Sequence, residues 1–278
     1  MVNLPEPGSP QSESPPDFSP PRSRARWWFH LAVIGAYPIV LGVLGWSQPA
    51  KSPPALTSTA GGLMVTCAVQ LAIFGFIFLL GWLASRASRD DLLLRWRHGF
   101  WPIPLGIAYS VALRFALGVI AVAVLTLLML AKVVTVDQVQ NYMHANRPDV
   151  GAMVDIGALR SNPVYFWLTV TFVSFVVAGL REELWRAAVL AACRTLWPQR
   201  FSTRGGQILA VTLISVVFGL GHVSMGPLAV IAAALLGLGL GVIMVLHRSL
   251  WPAVFAHGMF DATTFALLPW IADKLPVA

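Results

Sequence analysis

Arg181-Glu182-Glu183-Leu184-Trp185-Arg186 opens the stretch on which the reading of this chain turns. It continues through Phe218-Gly219-Leu220-Gly221-His222 and closes with His257-Gly258-Met259-Phe260-Asp261. Almost everything around these three pieces is apolar. The chain has 12 acidic residues and 6 histidines, and Glu182, Glu183, Asp261, His222 and His257 sit in or against long apolar runs. An ionisable group in hydrocarbon costs about 3 kcal/mol on insertion scales, so such groups usually have partners or a function. Here they recur in three successive segments.

Outward from that stretch, composition sets the class. At 57% hydrophobic and 11% charged residues the chain is unlike a soluble domain. Apolar runs of about 20 residues are long enough to span a bilayer as helix. We read spans near 27–46, 60–84, 104–131, 163–182, 207–223, 226–246 and 251–271, with an eighth if 184–197 dips into the membrane. The expected fold is therefore all-α, a polytopic transmembrane bundle of about seven to eight spans around a polar cavity. With the N-terminus inside, 13 of the 19 Lys and Arg fall on inner segments and 5 on outer ones, as the positive-inside rule requires. This places the chain in a membrane, read as a bacterial inner (cell) membrane, with a cytoplasmic N-terminus and the lipid bilayer as a partner. The arginines flank apolar runs rather than forming one patch, so no nucleic acid is expected despite a net charge of +7.

Residues 1–26 are rich in Pro and Ser and lack an apolar face, so they read as a disordered cytoplasmic tail before a membrane domain at 27–278. Residues 87–99 mix charges with leucines and read as a short interfacial helix. Residues 132–162 read as an external connecting loop. Arg114 is a lone charge that either pairs with a buried carboxylate or snorkels. Ala233, Gly237 and Gly241 recur every four residues, a spacing that lets helices approach closely. Cys67 and Cys193 lie far apart in apolar segments and are expected as free thiols.

The three polar pieces suggest chemistry. Residues four apart on a helix share a face, with Cβ atoms about 5–6 Å apart. This pairs Glu182 with Arg186, Phe218 with His222, and His257 with Asp261. Three helices could thus aim a carboxylate, an imidazole and an imidazole–carboxylate pair at one cavity. A desolvated carboxylate is a better base toward water, and an imidazole can donate to a developing oxyanion. Two His and a carboxylate also form a frequent zinc set, although no His-Glu-x-x-His segment is present. The same groups could serve only as interhelical hydrogen-bonding partners. A solute transporter is disfavoured, since no internal repeat is visible.

In order and spacing, Glu182-Glu183 followed closely by Arg, Phe218-x-x-x-His222 and His257-x-x-x-Asp261 resemble the CAAX-type prenyl endopeptidase and bacteriocin-processing (Abi, or CPBP) family of intramembrane proteases. So does the Gly-rich run from Leu236 that leads through Arg248-Ser249-Leu250-Trp251-Pro252 to Ala256-His257. The resemblance covers about residues 163–265. It implies a protease-like core there, an α-helical fold around a conical cavity, and hydrolysis of a peptide bond at or within the membrane in a hydrophobic or lipidated, CAAX-like peptide or protein. Under it, Glu182 is the general base, Glu183 supports the site, and His222 polarises the water or holds the scissile carbonyl. His257 and Asp261 complete the oxyanion or metal environment, with Arg186 and Phe218 supporting. A glutamate-type enzyme needs no cofactor; a metallo-type would carry zinc on His222, His257 and Asp261.

Two departures stand out. The family places Arg five residues after the first Glu, whereas Arg186 is four after Glu182; the other register would align Arg181-Glu182 with the acidic pair. The last motif ends in Asp261 where the eukaryotic prenyl-endopeptidase branch has Asn. The altered Arg spacing keeps open an alternative, a non-catalytic binding or immunity protein of the same fold. One further condition applies. Glu182 near the inner end of its span and His222 near the outer end of its own can meet only across a tilted or broken helix, or if the Glu182 helix continues well past residue 186.

Overall fold

The computed structural model describes residues 23–46, 58–96, 99–146 and 154–271. Residues 1–22 of the expected tail lie outside the described residues. Helix α1, Arg24–Trp46, already begins within the last part of that tail. Among the described residues there is helix and turn and no strand, as expected for an all-α membrane bundle.

Local chemistry sets the helix ends. Thr59 caps α2, Ala60–Ser85, by accepting from the Gly62 amide at 3.1 Å, and Arg86 closes it in the left-handed region. Pro102 opens α3, Pro102–Leu130, at a position where a missing N–H costs nothing. Asn162 and Pro163 start the longest helix, α6, Pro163–Leu196. After the short α7, Pro198–Phe201, Thr203 caps α8, Arg204–Leu220. Gly226, at φ +95°, makes the turn into α9, Pro227–His247, a backbone conformation that other residues rarely adopt. After Arg248, also left-handed, α10 runs over Trp251–Ile271. By length and composition, α2, α3, α6 and α9 can cross a membrane, and α8 is apolar but shorter. Helices α1, α8 and α10 stand at the places read as further spans. Large apolar side chains such as Phe76, Phe115 and Leu127 point outward, as lipid-facing surfaces require.

The segments read separately at 163–182 and 184–197 are one helix of 34 residues, about 50 Å long at 1.5 Å per residue. The charged group Arg181–Arg186 does not end it, because each charge finds a partner. Glu182 therefore lies near the middle of α6, and the helix continues well past residue 186, one of the conditions for Glu182 to meet His222. Upstream, Thr169–Leu180 is wound as π-helix, with Ser174 Oγ donating to the Thr169 carbonyl five residues back at 2.9 Å. Such winding is rare and is often found next to functional sites.

Small residues bring the core helices together. A Cβ on Gly219 of α8 would stand 2.6 Å from the Val230 carbonyl of α9, and one on Gly241 would stand 2.2 Å from Val211. The four-residue small repeat of α9 is thus a packing face, as expected. Gly106 of α3 abuts Phe255 and the Ala256 backbone of α10. Gly258 of α10 abuts Phe175 in the π-wound part of α6. Buried His30 links α1 to the Gly81 and Ala188 carbonyls at 2.9 and 3.1 Å.

Two connections differ from expectation. Residues 87–96 form turns rather than an interfacial helix, with 97 and 98 outside the described residues. Ser88 and Asp91 bond each other, Leu93 is left-handed, and Leu92 and Leu93 are buried. The Leu93 carbonyl accepts from the Leu250 amide at 2.9 Å, and Arg95 and Leu94 accept from Ser249 and Trp251. Tertiary bonds thus fix this segment to the α9–α10 turn. The expected loop at 132–162 contains α4, Val136–Ala145, and α5, Ile156–Ser161. Thr135 and Gln138 form a reciprocal capping box at α4, and Asp155 caps α5. Cys67 and Cys193 are free.

Candidate active site

The middle of α6, the end of α8 and the first half of α10 meet around His257. Its Nδ1 lies 3.1 Å from Glu183 Oε1, and the buried carboxylate can only accept there. The Nδ1 proton is thereby fixed, and Nε2 points to the remaining acids. That atom lies 3.8 Å from Glu182 Oε2 and 3.6 Å from Asp261 Oδ2. Both separations exceed a direct hydrogen bond and are within ion-pair range.

The two adjacent glutamates differ in setting. Glu183 is fully buried and forms an ion pair through its other oxygen with Arg186, also fully buried. Arg186 Nε and Nη2 find no hydrogen-bond acceptor among the described residues; its guanidinium carbon stands 4.7 Å from the centre of the Phe218 ring instead. Gly237 leaves room for this stack, since a Cβ there would stand 2.9 Å from Phe218 and 3.2 Å from Arg186. The Glu182 side chain is 19% exposed. It accepts from Arg181 at 2.8 Å through one oxygen and turns the other toward His257. Asp261 is 22% exposed.

His222 stands apart from the acids. Its Nδ1 pairs with the Phe218 carbonyl at 3.0 Å and its ring lies 4.9 Å from the Phe218 ring. Phe218 in turn meets His257 edge-on at 6.3 Å. His222 is thus held against Phe218. The structure therefore joins Glu182, Glu183, Arg186, His257 and Asp261 directly, and brings in His222 through Phe218.

Three groups that sequence reasoning did not place in the site also contribute. Arg181, only 12% exposed, bridges Glu182 to Gln70 Oε1 of α2 at 3.0 Å. Gln70 was readable as the one side-chain amide in the α2 run. Arg114 of α3 has Asp261 as its nearby carboxylate. It donates to the Phe260 carbonyl and to Thr263 and Thr264, stacks 4.0 Å over the Phe260 ring, and acts on the charge of Asp261. Three acids are thus set among three arginines. Among the described residues no three His, Cys, Asp or Glu side chains are grouped to hold a metal ion. Of the residues that a metallo-type enzyme would use, His257 and Asp261 face each other at 3.6 Å and His222 pairs with the Phe218 carbonyl.

Residues 163–263 match a family model described as Rce1-like, type II CAAX prenyl endopeptidase Rce1-like. No curated protein and no solved structure matches the chain. The matched segment starts at the first residue of α6 and ends within α10, so it holds all the acids and both histidines of the site. Gln70 and Arg114 lie outside it. The match supports an endopeptidase, and with the apolar helices it supports an integral membrane protein with a peptide or protein substrate.

Proposed function

We propose that this chain is a CAAX-type intramembrane endopeptidase in which Glu182 activates water against a peptide bond of a membrane-associated, lipidated substrate. The observation that carries this reading is the setting of His257. One ring nitrogen is held by Glu183, while the other faces both Glu182 and Asp261, at 3.8 and 3.6 Å.

In this reaction Glu182 draws a proton from water as the water oxygen attacks the substrate carbonyl carbon. The carbonyl oxygen gains the negative charge and accepts a hydrogen bond from Nε2–H of protonated His257, with His222 supporting the site through its contact with Phe218. The proton on Glu182 passes to the amide nitrogen, the C–N bond breaks, and a new carboxylate and amine leave. Glu183, neutralised by Arg186, keeps the His257 ring oriented. Asp261 holds the opposite side of Nε2, and Arg114 offsets its charge. Protease-like residues 163–265 then form the core of a membrane domain at 27–278. We place the arginine-rich ends of α1, α2, α6 and α9 on the cytoplasmic side of a bacterial cell membrane.

The test uses a peptide bearing a farnesyl group near its C-terminus, added to protein in liposomes in water enriched with a heavy oxygen isotope. Hydrolysis predicts two fragments, with one heavy oxygen in the new carboxylate, and no fragments with Glu182→Gln. Tight binding of an intact peptide by the wild type would favour a non-catalytic binding protein.

A further inference from the structure

A cavity lies where α1, α6 and α8 meet. It is an apolar groove of about 660 Å³ between α1 and α8, with the buried Trp185, Val189 and Ile214 as its floor. Its volume falls in the roughly 300–1,000 Å³ range that holds a single small ligand. Ala32, Gly35 and Ala36 occupy one face of α1 and give the groove its depth. A Cβ on Gly35 would meet only Leu31, at 3.9 Å. The groove is thus open where a helix face is ordinarily filled by its neighbour.

One end of the groove is cationic. Arg200 lines it and is exposed, with no ion pair among the described residues. Arg24 reaches the same end by donating to the Leu196 carbonyl at 3.2 Å. Trp28 and Trp197 meet edge to face at 5.0 Å there, as expected where a protein crosses from lipid tails to headgroups. The acids described nearby are engaged: Asp90 by Arg95, and Asp91 by Ser88. An apolar trough that ends in arginines with no ion pair among the described residues is complementary, at a membrane surface, to a lipid with a negative headgroup.

We infer that the groove between α1 and α8 binds one acyl chain of an anionic phospholipid, with its phosphate on Arg200 and Arg24. The chain would lie against Trp185, which donates to the Ile34 carbonyl at 2.9 Å and stands three residues from Glu182. The lipid thereby braces α1 against the helix that carries the glutamates. The inference stands apart from peptidase activity, because its readout is binding.

The test is native mass spectrometry of the detergent-purified full chain with phosphatidylglycerol or phosphatidylcholine. The wild type should retain one phosphatidylglycerol in preference to phosphatidylcholine. Arg200→Gln should weaken that retention about five-fold, the loss set by one arginine at a charged surface. Gly35→Phe should fill the groove and remove the adduct while the unfolding temperature is kept. If Gly35→Phe does not fold, Ala36→Phe makes the same test from an exposed position. Equal retention of both lipids, or an adduct that survives the filling variants, would overturn the inference. A dimer that those variants dissolve would assign the groove to a second copy and overturn it as well.

Discussion

Glu183 and Arg186 share a buried ion pair on one turn of α6. Removing one member of such a pair leaves the other charge without compensation in an apolar interior. Arg186→Met should therefore lower stability by about 3–5 kcal/mol, measured by thermal unfolding in detergent. Glu183→Leu combined with Arg186→Met should recover much of that stability but no activity, since His257 then loses its orienting acid. Full activity of the double variant would show that the pair does not position His257. Arg181 acts differently, because it touches Glu182 and Gln70 rather than His257. Arg181→Met should lower kcat with KM little changed, Arg181→Lys should restore part of it, and Gln70→Leu should give a smaller loss. A change confined to KM would place Arg181 in substrate binding instead. The site's membership was legible because charges in apolar runs are expensive, and that marked Glu182, Glu183, His257 and Asp261. The division of labour between the glutamates was not legible. Neighbouring helix residues point about 100° apart, and which one meets His257 depends on how α6 is turned toward α10. The register question was also tertiary. Arg186 pairs with Glu183, so its spacing from Glu182 does not govern its role.

Among the helices, glycine contacts set the distances that the site needs. Gly106 of α3 lies against Phe255 and the α10 backbone, whereas a Cβ on Gly118 of the same helix meets nothing. Gly106→Val should push α3 from α10 and cost about 1–3 kcal/mol. Gly118→Ala should be neutral or stabilise by up to about 1 kcal/mol, as expected where only helix propensity changes. Equal unfolding temperatures for the two variants would contradict the α3–α10 contact. The long helices were readable because their apolar runs match a bilayer and their caps, such as Thr203 and Asn162-Pro163, are local. The Thr135-x-x-Gln138 capping box that starts α4 was readable too, and was hidden by treating 132–162 as one polar loop. The turns at 87–96 were not readable, because Leu92 and Leu93 are held by bonds to the Leu250 region, far away in sequence. Nor was the π-winding of Thr169–Leu180, which reads as an ordinary apolar run.

At the scale of the whole molecule, a mostly apolar helical bundle holds a charged cluster near the middle of α6. The family-matched segment supplies the acids and histidines, while α1, α2 and α3 supply the surroundings: His30 against α6, Gln70 behind Arg181 and Arg114 behind Asp261. The N-terminal helices are therefore expected to be needed for activity as well as for anchoring. A chain beginning at residue 163 should be inactive even when inserted in a membrane; cleavage by that fragment would remove these helices from the account. The most direct measurement is the single-turnover cleavage rate of a farnesylated peptide by wild type and Glu182→Gln in the same liposomes, at matched unfolding temperatures. Loss of the general base predicts a fall of about 10²–10⁴-fold with the fold intact. A Glu182→Gln rate equal to that of the wild type would contradict the assignment of Glu182 as the residue that activates water.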